Sequence, residues 1–368
     1  MGRSLDRLTI KGFKSIRELK DFDLKALNIF IGGNGAGKSN LIEFFRLLRE
    51  IIGGNLNDYI RSGGGISDFL FNGRKVTSQM EFETRFGSRG YRFNLKPGPA
   101  EDCLLTDEAR YYAGGRTGWW ELDNSPDGTS LLVKEAKSDS GDSQYSKSVY
   151  EAISSWQIYH FHDTSATAAM RHYEIIQDNK VLRFDASNIA PYLLRLRNEH
   201  ENSYREILDS LRLVMPFFDD FLLDVTELGP KQKVNLSWLQ KGSDYPMQPY
   251  HLSDGSIRFI CLATSLLQPK PPSTIIIDEP ELGLHPAAIS ILAELIQNAA
   301  KRTQLIVATQ SPALIDNFSV EDVIVVNRKD GASTFARLQE EDFNVWLETY
   351  SVGELWSKNV ISGGPVHE

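Results

Sequence analysis

The chain has 368 residues, with Lys plus Arg 40 against Asp plus Glu 49 and a net charge of -9. At roughly 150 residues per domain, that length allows two domains or one large α/β domain with insertions. A balance of 41% hydrophobic and 24% charged residues excludes wholesale disorder, and the acidic excess excludes a surface that is basic all over. Any nucleic-acid contact is therefore confined to one face. Two cysteines, Cys103 and Cys261, are too few for a disulfide framework and point to a reducing compartment. No apolar run is long enough for a membrane span, so the expected location is the cytoplasm, with no membrane partner.

Along the chain, Leu8-Thr9-Ile10-Lys11 alternates apolar and polar residues, as a half-buried strand does, and Gly12 turns towards Lys14-Ser15-Ile16. A second apolar run, Leu27-Asn28-Ile29-Phe30-Ile31, stops at Gly32. Beyond the glycines, residues 40–48 carry apolar side chains at helical spacing. Strand-like pieces at 80–86, 91–93 and 119–122 alternate with turn signals: Pro97-Gly98-Pro99, Gly114-Gly115 and Asp127-Gly128. That pattern predicts an antiparallel meander. The polar stretch 138–148 reads as a loose loop. Helical patterns follow at 188–198 and 201–215, the second closed by Pro216. The last third alternates strand (273–277), helix (286–300), strand (305–308) and strand (323–326), the rhythm of a parallel sheet.

Three stretches carry chemistry. Gly32-Gly33-Asn34-Gly35-Ala36-Gly37-Lys38-Ser39 fits the phosphate loop G-x-x-x-x-G-K-[ST], placed where it works, after a strand and at a helix start. Its glycines let backbone N–H groups converge on phosphate oxygens, and the helix N-terminus adds partial positive charge. Asn34, Gly35, Gly37, Lys38, Ser39 and Asn40 are the candidate nucleotide-binding residues. Lys38 would reach the β- and γ-phosphates, and the Ser39 hydroxyl would bind Mg²⁺. Thr274-Ile275-Ile276-Ile277 is a continuous apolar run ending in Asp278-Glu279, as in a central parallel strand whose carboxyl end faces the ligand. Asp278 is the candidate Mg²⁺ ligand, through water, and Glu279 the candidate base for the attacking water. Leu252-Ser253-Asp254-Gly255-Ser256 opens an apolar helix, with Ser253 suited to an N-cap and Gly255 to close backbone approach.

In this order, the phosphate loop, the LSGGQ-like stretch 252–256 and the Asp278-Glu279 strand resemble the ATP-binding-cassette ATPases. Glu281-Leu282-Gly283-Leu284-His285-Pro286 is similar to the D-loop of the RecF/SMC-like branch, and Thr309-Gln310-Ser311-Pro312 occupies its switch position. The opening Leu8–Ile16 stretch and the closing Tyr350–Trp356 stretch are also similar to that branch and its stand-alone bacterial ATPases. The resemblance implies an α/β P-loop fold of the ABC-ATPase head type: a mixed sheet core, an antiparallel N-terminal β lobe and a helical signature lobe. It also implies Mg²⁺-dependent ATP hydrolysis by a homodimer formed on ATP binding. In that dimer Ser253 and Gly255 would contact the γ-phosphate held by the other copy. The expected division is 1–75 for the phosphate-loop half of the core, 76–155 for the β-rich lobe, 156–250 for the helical lobe and 251–368 for the signature half.

Two departures from the family matter. Gln310 stands where the switch is usually histidine; an amide can donate a hydrogen bond but carries no charge, which implies slower turnover. The Q-loop residue is open between Gln157, His162 and Asp163. His160 and His162, with Asp163, read as a packed or nucleotide-proximal pair or as a metal site. Tyr111-Tyr112 and Trp119-Trp120 read as packing or as base-stacking platforms. Arg3, Arg7, Lys11, Lys14, Arg17 and Lys20 read as a solvated strand face or as a contact for DNA phosphates. The turn-rich stretch between Ser39 and Ser253 holds no long coiled-coil arm, and little chain follows Pro312, so a nuclease or toxin effector would be a separate protein. The expected function is an ATPase in a DNA-associated process, repair or defence against mobile elements. The alternatives are an ATP-gated scaffold with very slow hydrolysis and the ATPase subunit of an ABC transporter.

Overall fold

The computed structural model describes residues 3–98, 102–114, 117–122, 129–139 and 143–361. Two six-stranded sheets enclose the helix that follows the phosphate loop. The first is mixed, in the spatial order Ala332–Arg337, Val323–Lys329, Leu27–Ile31, Gln304–Thr309, Thr274–Asp278, Gln157–Tyr159. All neighbours in it are parallel except Ala332–Arg337, which returns antiparallel as a hairpin. The central strands are apolar throughout because both of their faces are covered. With the two-residue period of a strand, Ile29, Ile31, Ile275, Ile277, Leu305 and Val307 pack into one core, and Phe30, Ile276, Ile306 and Ala308 into the other.

The second sheet is antiparallel: Ile16–Asp23, Arg7–Phe13, Met80–Phe86, Arg89–Pro97, Cys103–Tyr112 and Gly118–Glu121. The expected meander is present, and the opening hairpin, which turns at Lys14-Ser15, lies alongside it. Pro99, Gly115 and the Asp127-Gly128 turn lie outside the described residues. Helix Lys38–Gly53 packs on the inner face of this sheet through Phe44, 5.5 Å from Phe82 between ring centroids, and Phe82 in turn stacks on Phe93 of the neighbouring strand at 4.9 Å. Each such pair adds about 0.5–1.5 kcal/mol beyond the area it buries. Gln304 stitches the two sheets, accepting from the Leu5 N–H at 3.1 Å and donating to the Leu5 carbonyl at 2.8 Å.

One expected loop is a helix. Residues 143–148 open Ser143–Ser155, in which Ser146, Val149, Ala152 and Ile153 are buried at helical spacing. Its serines, one of them the buried Ser146, dilute the apolar periodicity, and the helix is held by tertiary packing, with Trp156 just beyond it 5.3 Å from Phe45. Helices Ile189–Glu199 and Glu201–Val214 stand where their periodicity places them. The signature lobe also carries two small antiparallel sheets, Phe218–Leu222 with Ser237–Gln240, and Thr226–Leu228, Lys231–Val234 and Glu174–Ile175. Cys103 and Cys261 are free and buried, and burial pushes the Cys103 thiol up to about 12. Among the described residues no helix is long and apolar enough to cross a membrane.

Candidate nucleotide site

Helix Lys38–Gly53 begins with Gly37 at its N-cap, at φ 115°, and no side chain caps it. That conformation suits glycine, and a Cβ there would collide with the Ser333 hydroxyl. Ser333 is buried and donates to the Ala36 carbonyl at 2.6 Å. It also shares a 2.6 Å hydrogen bond with Ser15, whose hydroxyl accepts from the Asn40 amide at 2.6 Å. The loop is thus braced by the opening hairpin and by the hairpin Val323–Arg337. Neither serine stands out in the sequence as part of the site. Ser15 carries only the faint signal of lying in the opening Lys14-Ser15-Ile16 stretch, and nothing local marks Ser333.

Beside the loop lies a cleft of about 150 Å³, with Asn34, Gly35, Gly37, Lys38, Ser39 and Asn40 on one side and Glu279 and Gln310 on the other. Strand Thr274–Asp278 ends in Asp278, whose charge acts on Lys38. The chain then bends sharply at Glu279, whose φ of 43° is left-handed and costs a non-glycine residue roughly 1–2 kcal/mol. The Glu279 N–H donates to the Ala308 carbonyl at 2.8 Å, and Gln310 Nε2 donates to Glu279 Oε1 at 2.5 Å. Lys38 is buried, donating to the carbonyls of Gly32 at 2.6 Å and Gly33 at 3.3 Å. Burial lowers the Lys38 pKa, against the opposing pull of the Glu279, Asp278 and Glu281 carboxylates. Burial raises the Asp278 pKa, and the Glu279 charge raises it further, while His162, Arg46 and Lys38 act the other way. Uncapped N–H groups, an ammonium and the Glu279 carboxylate share one small volume, an arrangement that can bind a phosphate chain and accept a proton beside it.

Ser253 and Gly255 are not part of that cleft. Ser253 caps helix Asp254–Leu266, accepting from the Ser256 N–H at 3.1 Å, and remains exposed. Gly255 lies so close to the D-loop that a Cβ there would collide with the Gly283 carbonyl. Arg258, one turn further on, is buried and ties the helix to both neighbouring loops. It donates to the Phe161 carbonyl at 2.9 Å, to the His162 carbonyl at 3.1 Å and to the Leu282 carbonyl.

Of the Q-loop candidates, His162 is the one beside the site, with Nε2 3.2 Å from the Asp278 carbonyl. Gln157 pairs with Ile275 at the far end of the strand, and Asp163 bonds Ser165 at 2.7 Å. The His160 and His162 rings lie against each other, tilted by 32° with centroids 3.9 Å apart. Among the described residues no cluster of three or more His, Cys, Asp or Glu is assembled for a metal. Tyr111 and Trp119 pack edge to face at 5.3 Å, with Arg85 lying over Tyr111 at 3.4 Å. Of the basic N-terminal residues, Arg7 pairs with Asp23 at 3.0 Å, Lys11 with Glu18 at 3.5 Å and Lys14 with Glu43 at 3.8 Å, while Arg3 donates to the Ser88 hydroxyl and Arg17 to the Asp330 carbonyl.

Residues 27–316 match the family described as "AAA domain, putative AbiEii toxin, Type IV TA system". No curated protein matches the sequence. Among solved structures, the fold is similar to an SMC head bound to the C-winged helix domain of ScpA, at 18% identity and a TM-score of 0.55. That likeness covers 93% of this chain and 99% of the other. It is also similar to an SMC head with an extended coiled coil, bound to the C-terminal domain of ScpA, from Pyrococcus furiosus. There the identity is 19% and the TM-score 0.50, over 94% of this chain and 98% of the other. At such identities the likeness speaks for the fold, and the family match spans the phosphate loop, the signature and the switch together. The chain belongs to this AAA-domain family and has the fold of an SMC head.

Proposed function

We propose that this protein hydrolyses ATP to ADP and phosphate and closes as a homodimer while ATP is bound. One observation carries the proposal: Lys38, Glu279 and Gln310 share a cleft with the phosphate loop, while the capped Ser253 stays exposed outside it. The free N–H groups at the start of helix Lys38–Gly53 and the Lys38 ammonium would receive the phosphates. Ser39 and Asp278 fit as protein ligands for Mg²⁺, a hydroxyl and a carboxylate being the partial set this ion takes beside phosphate and water. The ion, when bound, neutralises charge on the phosphate oxygens. Glu279, aimed by the Gln310 amide, would orient the attacking water and take its proton. Ser253 and Gly255 of one copy would close over the ATP of the other.

We assign the ATPase to a DNA-associated process, repair or defence against mobile elements, with a separate nuclease or toxin as effector. The family's description, which includes a toxin of a type IV toxin–antitoxin system, supports the defence context. The ion pairs of Arg7, Lys11 and Lys14 reduce the charge that their face has for DNA phosphates, which leaves Arg3, Arg17 and Lys20 as its candidate contacts. One observation favours a second reading, an ATP-gated scaffold with very slow hydrolysis: the uncharged Gln310 is already bonded to Glu279. Phosphate release with and without duplex and single-stranded DNA separates the two, since stimulation by DNA belongs to the first alone. Glu279→Gln is the sharper test of the chemistry. It should bind ATP, remain a closed dimer in solution scattering, and release phosphate roughly 10²–10⁴ times more slowly. Normal phosphate release from that variant would remove Glu279 as the base.

A further inference from the structure

The loop after Glu279 contains a second carboxylate, Glu281, to which the proposed reaction gives no part. It is only 9% exposed. Its Oε1 accepts from the Thr309 hydroxyl at 2.5 Å and from the Gln310 backbone N–H at 3.2 Å. Thr309 Oγ1 in turn accepts from the Ser311 N–H at 3.0 Å, so Glu281, Thr309 and Ser311 form one chain of hydrogen bonds along the switch segment. Gln310 then spans the gap, its side-chain amide reaching Glu279. Oε2 of Glu281 has no hydrogen-bond partner among the described residues although it is buried. A buried carboxylate with one oxygen unsatisfied is a poor stabilising device, because desolvation costs it more than an uncharged acceptor at the same place. Its placement at the junction of the acidic strand and the switch needs another explanation.

We infer that Glu281 is the positioning residue of the switch, holding Thr309 and the Gln310 backbone so that the Gln310 amide is aimed at Glu279. The inference rests on the ATPase reading for its kinetic consequence, though not for its geometry. The Glu279 N–H bond to the Ala308 carbonyl joins the two strand ends, and Glu281 adds a side-chain hold on Thr309 and the Gln310 backbone just beyond them. A displacement of about 1 Å at such a contact can cost roughly 10²-fold in rate.

The test uses the full chain with Glu281→Ala, Glu281→Gln, Gln310→Ala and the Glu281→Ala/Gln310→Ala double variant. Glu281→Ala should lower kcat about 10²-fold with ATP affinity within about twofold of the parent. Glu281→Gln keeps an acceptor oxygen for Thr309 and Gln310 and should recover to within roughly fivefold. In the Gln310→Ala background, Glu281→Ala should add less than about threefold, since it acts through the residue already removed. Full additivity, or a loss of melting temperature and ATP affinity with kcat untouched, would overturn the inference. A second readout does not depend on turnover. The Gln310 side-chain amide resonance, assigned by its loss in Gln310→Ala, should move to a solvent-exposed position in Glu281→Ala and stay in place in Glu281→Gln. If the parent protein binds ATP without hydrolysing it, the hydrolysis proposal fails by itself. The resonance then decides the Glu281 role alone, and an unmoved signal in Glu281→Ala overturns it.

Discussion

The chain starts two helices from glycine-bearing loops, and it treats them in opposite ways. At Lys38–Gly53 the N-cap is glycine, no side chain caps the helix, and a cleft with an ammonium and a carboxylate lies in front of it. At Asp254–Leu266 the N-cap serine already accepts from Ser256, and the nearby Gly255 is pressed against a carbonyl of its own chain. A helix N-terminus whose donors are unclaimed is ready for an anion within the same chain. One that is capped and exposed has a stable structure of its own and a face left for something else. The same sequence cue, small residues before an apolar helix, therefore leaves open donors beside a cleft in one place and makes a packing junction in the other.

Substitutions at the two helix starts should separate these uses. The largest effect belongs to Lys38→Ala: ATP affinity falls at least about 10²-fold by calorimetry while the fold, by circular dichroism, is kept. Gly255→Ala should act on folding, because its Cβ must displace the Gly283 carbonyl. A loss of about 1–3 kcal/mol in urea unfolding is expected, with ATP binding to the monomer retained. A loss of ATP binding with stability intact would erase the contrast between the two loops. Ser253→Ala removes a cap worth about 1 kcal/mol. If its hydroxyl also reaches the other copy's ATP, ATP-driven dimerisation in scattering should weaken well beyond what that small destabilisation explains.

The smallest effect is a pH dependence near the site. Burial, helped by the charges of His162 and Arg46 and opposed by Glu279, brings His160 down to about 4. With its pKa lower in the folded protein than the usual 6.5, the unfolded chain takes up the proton first. This residue's contribution to stability is therefore intact above pH 6.5 and is lost as pH falls towards 4. His160→Gln should flatten part of the fall in melting temperature across that window; an unchanged slope would show that His160 is not held neutral there.

The phosphate loop, the acidic strand end and the Ser253 cap could all be read from the amino-acid order. Each is local: backbone conformation, glycine content and the flanking apolar run lie within a dozen or so residues. The parallel rhythm of the last third and the antiparallel meander were legible for the same reason. Helix Ser143–Ser155 was not, because its stability comes from Ser146, Val149, Ala152 and Ile153 meeting a partner surface rather than from its own composition. The pairing of Arg7–Phe13 with Met80–Phe86, the bracing of the loop by Ser15 and Ser333, and the hold of Glu281 on Thr309 and Gln310 all join residues from separate elements. Sequence alone determined which chemical groups this protein carries and the local backbone that presents them. Only the tertiary structure decided which of those groups meet, because hydrogen bonds and packing act over a few ångströms of space whatever their separation along the chain.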